Sequence, residues 1–99
     1  MSKLYVLLRS DIPKNYQAVQ AGHAVAQYML DYPDTWKNQT LVYLRVNEEN
    51  DLHIWLERMC KLKANYSPFY EPDIDDQMTA MAVLSKPEVD ELLCRMRLV

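Results

Sequence analysis

Leu4-Tyr5-Val6-Leu7-Leu8-Arg9 is the stretch whose reading decides the fold. Leu4 to Leu8 is a continuous apolar run that ends at an arginine, without the alternation of a strand wetted on one face. Such a run predicts a strand covered on both faces and therefore central in its sheet. Ser10 to Tyr16 follows as a loop, because Pro13 pushes Ile12 toward extended geometry, and it feeds a helix predicted from about Gln17 to Tyr32, stopped by Pro33 and Asp34. A central strand followed by a helix is the start of an α/β unit.

The rest of the chain extends the same alternation. Thr40 to Val46 is β-branched and apolar enough for a second strand, and Asn47 or Asn50 is placed to cap a helix running to about Lys63. Leu52, Trp55, Leu56, Met59 and Leu62 form the expected buried stripe of that helix. Asn65 to Tyr70 and Met78 to Leu84 read as two more strands. The short acidic turn Glu71-Pro72-Asp73-Ile74-Asp75-Asp76-Gln77 between them predicts an antiparallel pair. Ser85-Lys86-Pro87-Glu88 opens a last helix, with a capping hydroxyl three residues ahead of a glutamate and proline at the first helical position. Val89, Leu92, Leu93 and Met96 are expected to pack it down. The expectation is one α/β domain over residues 1–99, a mixed four-stranded sheet flanked by helices.

Composition narrows the function classes. A 99-residue chain with 49% hydrophobic residues supports one core. No window approaches the roughly 18 consecutive apolar residues of a membrane span, and the first residues lack a signal-peptide pattern. No membrane association is expected. Cys60 and Cys94 lie within segments of helical apolar spacing and read as reduced, buried, small hydrophobes, which points to the cytoplasm. The formal net charge of -3 argues against a generic basic nucleic-acid coat. The single glycine, Gly22, cannot build a phosphate loop or a dinucleotide fingerprint, both of which need several.

Within the first helix, steps of about 100° per residue put Ala18, Ala21, Gly22, Val25, Ala26 and Met29 on one side and Tyr16, Gln20, His23 and Gln27 on the other. The small-residue side is expected to lie close on the sheet, with Gly22 at the point of approach. The polar side starts beside the end of the first strand, where α/β sheets place ligands and where a histidine can move protons near neutral pH. The acidic run Glu71 to Asp76 lacks the alternate-ligand spacing and the glycine of a calcium loop, so a solvated turn is expected. His23, His53, Cys60 and Cys94 have no zinc spacing, and no metal or other cofactor is predicted. Ser10 and Ser67 lack the glycine-flanked elbow of a serine nucleophile. Arg58, Lys61 and Lys63 read as a solvating surface of the second helix.

Tyr5-Val6-Leu7-Leu8-Arg9-Ser10-Asp11-Ile12 followed by Val19-Gln20-Ala21-Gly22-His23-Ala24 resembles the type 2 peptidyl-tRNA hydrolases, which carry an apolar strand ending in Arg-x-Asp-Leu and then a helix with Ala-Gln-x-x-His-Ala. The likeness continues through Trp36 and the strand to Val46, and Thr79-Ala80-Met81-Ala82-Val83 is similar to the family's late threonine-bearing strand. The resemblance implies a mixed four-stranded sheet, no metal, a homodimer, and hydrolysis of the ester between a peptidyl or N-blocked aminoacyl group and the 3′ end of tRNA. It also implies roles. His23, or a carboxylate among Asp11, Glu71 and Asp73, activates water, and Gln20 steadies the oxyanion. Arg9, Lys14, Tyr16, Trp36 and Thr79 are the implied substrate contacts, Tyr16 or Trp36 stacking on the terminal base. Tyr16 stands where the family has a lysine, with Lys14 the nearby cation, and either Glu71 or Asp73 takes the place of the family aspartate. A non-catalytic tRNA- or protein-binding relative of the same fold is the alternative.

Overall fold

A computed structural model describes residues 3–37 and 40–99. The order is β1 (Leu4–Arg9), α1 (Lys14–Asp31), β2 (Leu41–Val46), α2 (Glu49–Lys61), β3 (Tyr66–Glu71), a 3-10 turn (Pro72–Ile74), β4 (Gln77–Leu84) and α3 (Pro87–Leu93). The strands form one mixed sheet in the order β2-β1-β4-β3. β1 runs parallel to β2, with Leu4 beside Leu41, and antiparallel to β4, with Leu4 beside Leu84. β3 and β4 are the expected antiparallel pair, interrupted by an irregularity between Phe69 and Tyr70.

All six residues of β1 are buried, as its unbroken apolar run requires. Leu4, Val6 and Leu8 face a layer built by Ala21, Ala24 and Tyr28 of α1 together with Ala80 and Ala82. Tyr5 and Leu7 face the opposite layer, where Leu52 and Met59 of α2 and Val89 and Leu93 of α3 meet Met78, Met81 and Val83. Helices therefore cover both sheet faces. None of the helices among the described residues is long and apolar enough to cross a membrane.

Several local expectations are corrected. The sheet-facing side of α1 is Gln20, Ala21, Ala24 and Tyr28. Gly22 is exposed, and a Cβ built there meets nothing within 4 Å, so it marks no close approach. Hydroxyl and amide bonds explain this phase: Tyr28 pairs with Thr35 and Gln20 with two sheet residues, so the buried side of α1 is chosen by polar partners as much as by apolar ones. α1 begins at Lys14, three residues ahead of expectation, because Pro13 supplies the helix-entry carbonyl for Gln17 N–H.

Helix α2 is capped by neither asparagine side chain. Glu48 holds the N-cap position, and the Asp51 carboxylate accepts from the backbone N–H groups of Asn47 and Glu48. Ser85 likewise does not cap α3, since its hydroxyl donates to Asp90. Leu92 points outward, and Cys60 and Cys94 are exposed free thiols on the outer sides of their helices. Beyond α3, Leu98 pairs antiparallel with Leu44 on the outer edge of β2.

Candidate functional site

β1 ends at Arg9, Ser10 N–H still donates to the Val46 carbonyl at the end of β2, and the segment Asp11 to Pro13 leads into α1. Arg9, only 7% exposed, closes this turn. Its Nε donates to Asp11 Oδ1 at 2.8 Å and its Nη2 to Asp11 Oδ2 at 2.9 Å, while Nη1 donates to Gln77 Oε1 at 3.0 Å and to the Met78 carbonyl at 3.2 Å. The two-pronged contact with the guanidinium holds the Asp11 carboxyl below the usual carboxylate range and raises Arg9 in turn. Both charges are thereby committed to shaping the loop.

Nearly two helical turns into α1, Gln20 is fully buried between α1 and the sheet. Thr79 Oγ1 donates to Gln20 Oε1 at 2.7 Å, and Gln20 Nε2 donates to Glu71 Oε1 at 2.8 Å. The amide orientation has a physical reason: a carboxylate only accepts, so the nitrogen must face Glu71 and the oxygen the threonine hydroxyl. Glu71, 7% exposed, also receives a long 3.5 Å contact from the Asp73 backbone N–H. Three polar side chains from α1, β3 and β4 thus form one buried chain. Glu71 takes one of the two Gln20 Nε2 protons, and the amide itself is wholly buried.

Ile12, Pro13, Tyr16 and Ile74 rim a cavity of about 110 Å³, with Gln20 and Thr79 also lining it. The acidic turn that brings Ile74 here is shaped by Asp75 and Asp76, at φ 59° and 57°. Aspartate tolerates this left-handed backbone better than most side chains, which allows the turn without glycine.

The implied site residues therefore divide. Gln20, Thr79, Glu71 and Tyr16 come together, with Arg9 and Asp11 at their border. Between the two acidic candidates, Glu71 joins the buried chain, whereas the exposed Asp73 contributes a backbone N–H. His23 is exposed and stacks on Phe69 at 4.6 Å, and it is not among the residues lining the cavity. Gln27 bonds to Asp31, which ties α1 to Ser67 of β3. Lys14 turns toward β2, where it lines a separate cavity of about 270 Å³ with Gln17, Ala18, Tyr43 and Val99. Trp36 donates to the Thr40 carbonyl beside the start of β2, at the opposite end of the sheet from Arg9. The polar stripe expected on α1 is thus split between core and surface.

Sequence reasoning missed Gln77, which clamps Arg9, and the apolar rim of Ile12, Pro13 and Ile74. Their only signal is position beside the two turns, since each residue type is ordinary in a loop.

The arrangement defines a fold class first: a small α/β domain with a four-stranded mixed sheet flanked by helices. A solved structure of that class is the protein of unknown function Atu0240 from Agrobacterium tumefaciens str. C58, similar over 99% of this chain and 97% of its own with a TM-score of 0.74 and 14% identity. The likeness is one of fold. No family model matches the sequence, and no curated protein matches it.

Proposed function

We propose that this chain is a peptidyl-tRNA hydrolase-like domain that cleaves the ester between a peptidyl or N-blocked aminoacyl group and tRNA in the cytoplasm. The observation that carries the reading is the buried Thr79–Gln20–Glu71 chain, of which Gln20 and Thr79 line a small cavity beside the end of β1. The motif likeness of Arg9-Ser10-Asp11 and Gln20 to His23 supplies the substrate class. A cavity of about 110 Å³ takes an ester carbonyl and little more, so the nucleoside would lie outside it against the exposed face of Tyr16. Glu71 orients the Gln20 amide, and the reading requires that amide, fully buried at rest, to turn its second Nε2 proton toward the developing oxyanion. His23 serves from outside the cavity, and the reading requires its ring to leave Phe69 to act as a base.

A second reading is a non-catalytic relative that binds tRNA or protein, as a monomer or a homodimer. One observation favours it: the polar groups of the pocket are engaged with one another and the family lysine is replaced by Tyr16. The deciding experiment is release of an N-blocked amino acid from charged tRNA by the purified protein. Catalysis should fall by at least about tenfold in Gln20→Leu and in His23→Ala. Release no faster than in a protein-free control would end the catalytic reading, and salt-dependent binding of uncharged tRNA would then leave the binding one.

A further inference from the structure

The chain has five arginines. Arg9 is locked to Asp11, and the Arg58 guanidinium lies 4.8 Å from the centre of the Trp55 ring. The other three, Arg45, Arg95 and Arg97, have no carboxylate partner among the described residues, yet all three line one open cavity of about 540 Å³. Asn47, Asp51 and Trp55 also line it. Asp51 brings one negative charge to the cavity but forms no ion pair with the arginines, and its Oδ2 accepts from the N–H groups of Asn47 and Glu48 at the start of α2.

Strand geometry makes the cluster more pointed. The Leu44–Leu98 pairing and the 2.8 Å bond from Arg45 N–H to the Arg97 carbonyl set Arg45 directly opposite Arg97. Like charges facing each other across a strand pair repel, and a shared anion removes the repulsion. In a chain of net charge -3, three arginines against the single carboxylate of Asp51 leave the lining of this cavity net positive. Their planar forks match phosphate oxygens. The cavity has the volume of a small-molecule site and exceeds the needs of a bare phosphate; Trp55 offers an aromatic edge for the remainder.

We propose that Arg45, Arg95 and Arg97 form a binding site for a nucleoside phosphate, taken either as a free nucleotide or as the phosphorylated end of a strand. The site is separate from the Gln20 pocket and does not rest on ester hydrolysis. The test titrates the full chain with ADP by calorimetry and with a 5′-phosphorylated single-stranded oligonucleotide by fluorescence anisotropy, at low and raised salt. At least one probe should bind the wild type. Arg45→Gln/Arg97→Gln should weaken it by at least about tenfold and flatten its salt dependence, whereas Lys61→Gln on the outer face of α2 should not. Whichever probe binds more tightly identifies the source of the phosphate. If the double variant melts early by circular dichroism, Arg95→Gln gives the same readout from outside the strand pair. No binding of either probe, equal binding by the variants, or equally tight binding of octaglutamate would overturn the proposal.

Discussion

Gln20 occupies a place where an α/β core would ordinarily put an aliphatic side chain, and its two ends are taken by Thr79 and Glu71. Replacing it with leucine would preserve volume and strand two buried polar groups, one of them a carboxylate. Gln20→Leu is expected to cost about 2–4 kcal/mol in urea unfolding, and Glu71→Gln, which keeps a hydrogen-bonding partner, less than half of that. Every buried side-chain nitrogen and oxygen among the described residues has such a partner, so this loss would stand out. At the border of the pocket, Asp11 has a folded-state pKa lowered by Arg9. A depressed carboxyl contributes stability that is present above its unfolded value, about 3.9, and is lost as pH falls through the folded value. The stability difference between wild type and Asp11→Asn should therefore be constant near neutrality and shrink below about pH 4 in acid titrations followed by circular dichroism. Half exposure of Asp11 keeps that difference small.

Among the elements, β1 was legible from sequence because an unbroken apolar run has one physical explanation, burial on both faces. β3 and β4 were legible because a seven-residue turn leaves no room for a crossover. α1 was legible as a helix and illegible in phase. Its side against the sheet holds Gln20, while Val19, Met29 and Leu30 are exposed, so hydrophobicity alone points to the wrong face. The small-residue stripe is rotated from the contact face by about a third of a turn, at ~100° per residue. The polar partners that fix the phase are 51 and 59 residues away in sequence, and no local pattern encodes them. For the same reason no local pattern separates Glu71 from Asp73. The exposed position of Gly22 gives a direct check. With open space where a Cβ would sit, Gly22→Ala should stabilise the protein by about 0.5–1 kcal/mol, read as a higher urea midpoint at unchanged slope. A lower midpoint would mean that the face is covered in solution.

At the scale of the whole molecule, the sheet divides two unlike layers. The layer under α1 combines alanines with tyrosines and carries the buried polar chain, whereas the layer under α2 and α3 is filled by leucine, methionine and valine. The candidate site lies where the polar layer meets the end of β1, and the arginine cluster lies at the neighbouring end of β2, so the C-terminal ends of the two parallel strands carry both.

The pairing of Leu98 with Leu44 has a colloidal consequence. A four-stranded sheet has two outer strands, and an outer strand with a free row of N–H and C=O groups is a template for adding further chains. On one side Pro68 removes a donor from β3 and its pairing register shifts between Phe69 and Tyr70. On the other, residues 97–99 occupy part of the rim of β2, bonding to Tyr43 and Arg45. A chain ending at Met96 is expected to scatter light increasingly with concentration and to bind thioflavin on standing, while the full chain stays clear; equal clarity of both would mean that the proline-bearing strand and surface charge suffice to keep fibrils from growing.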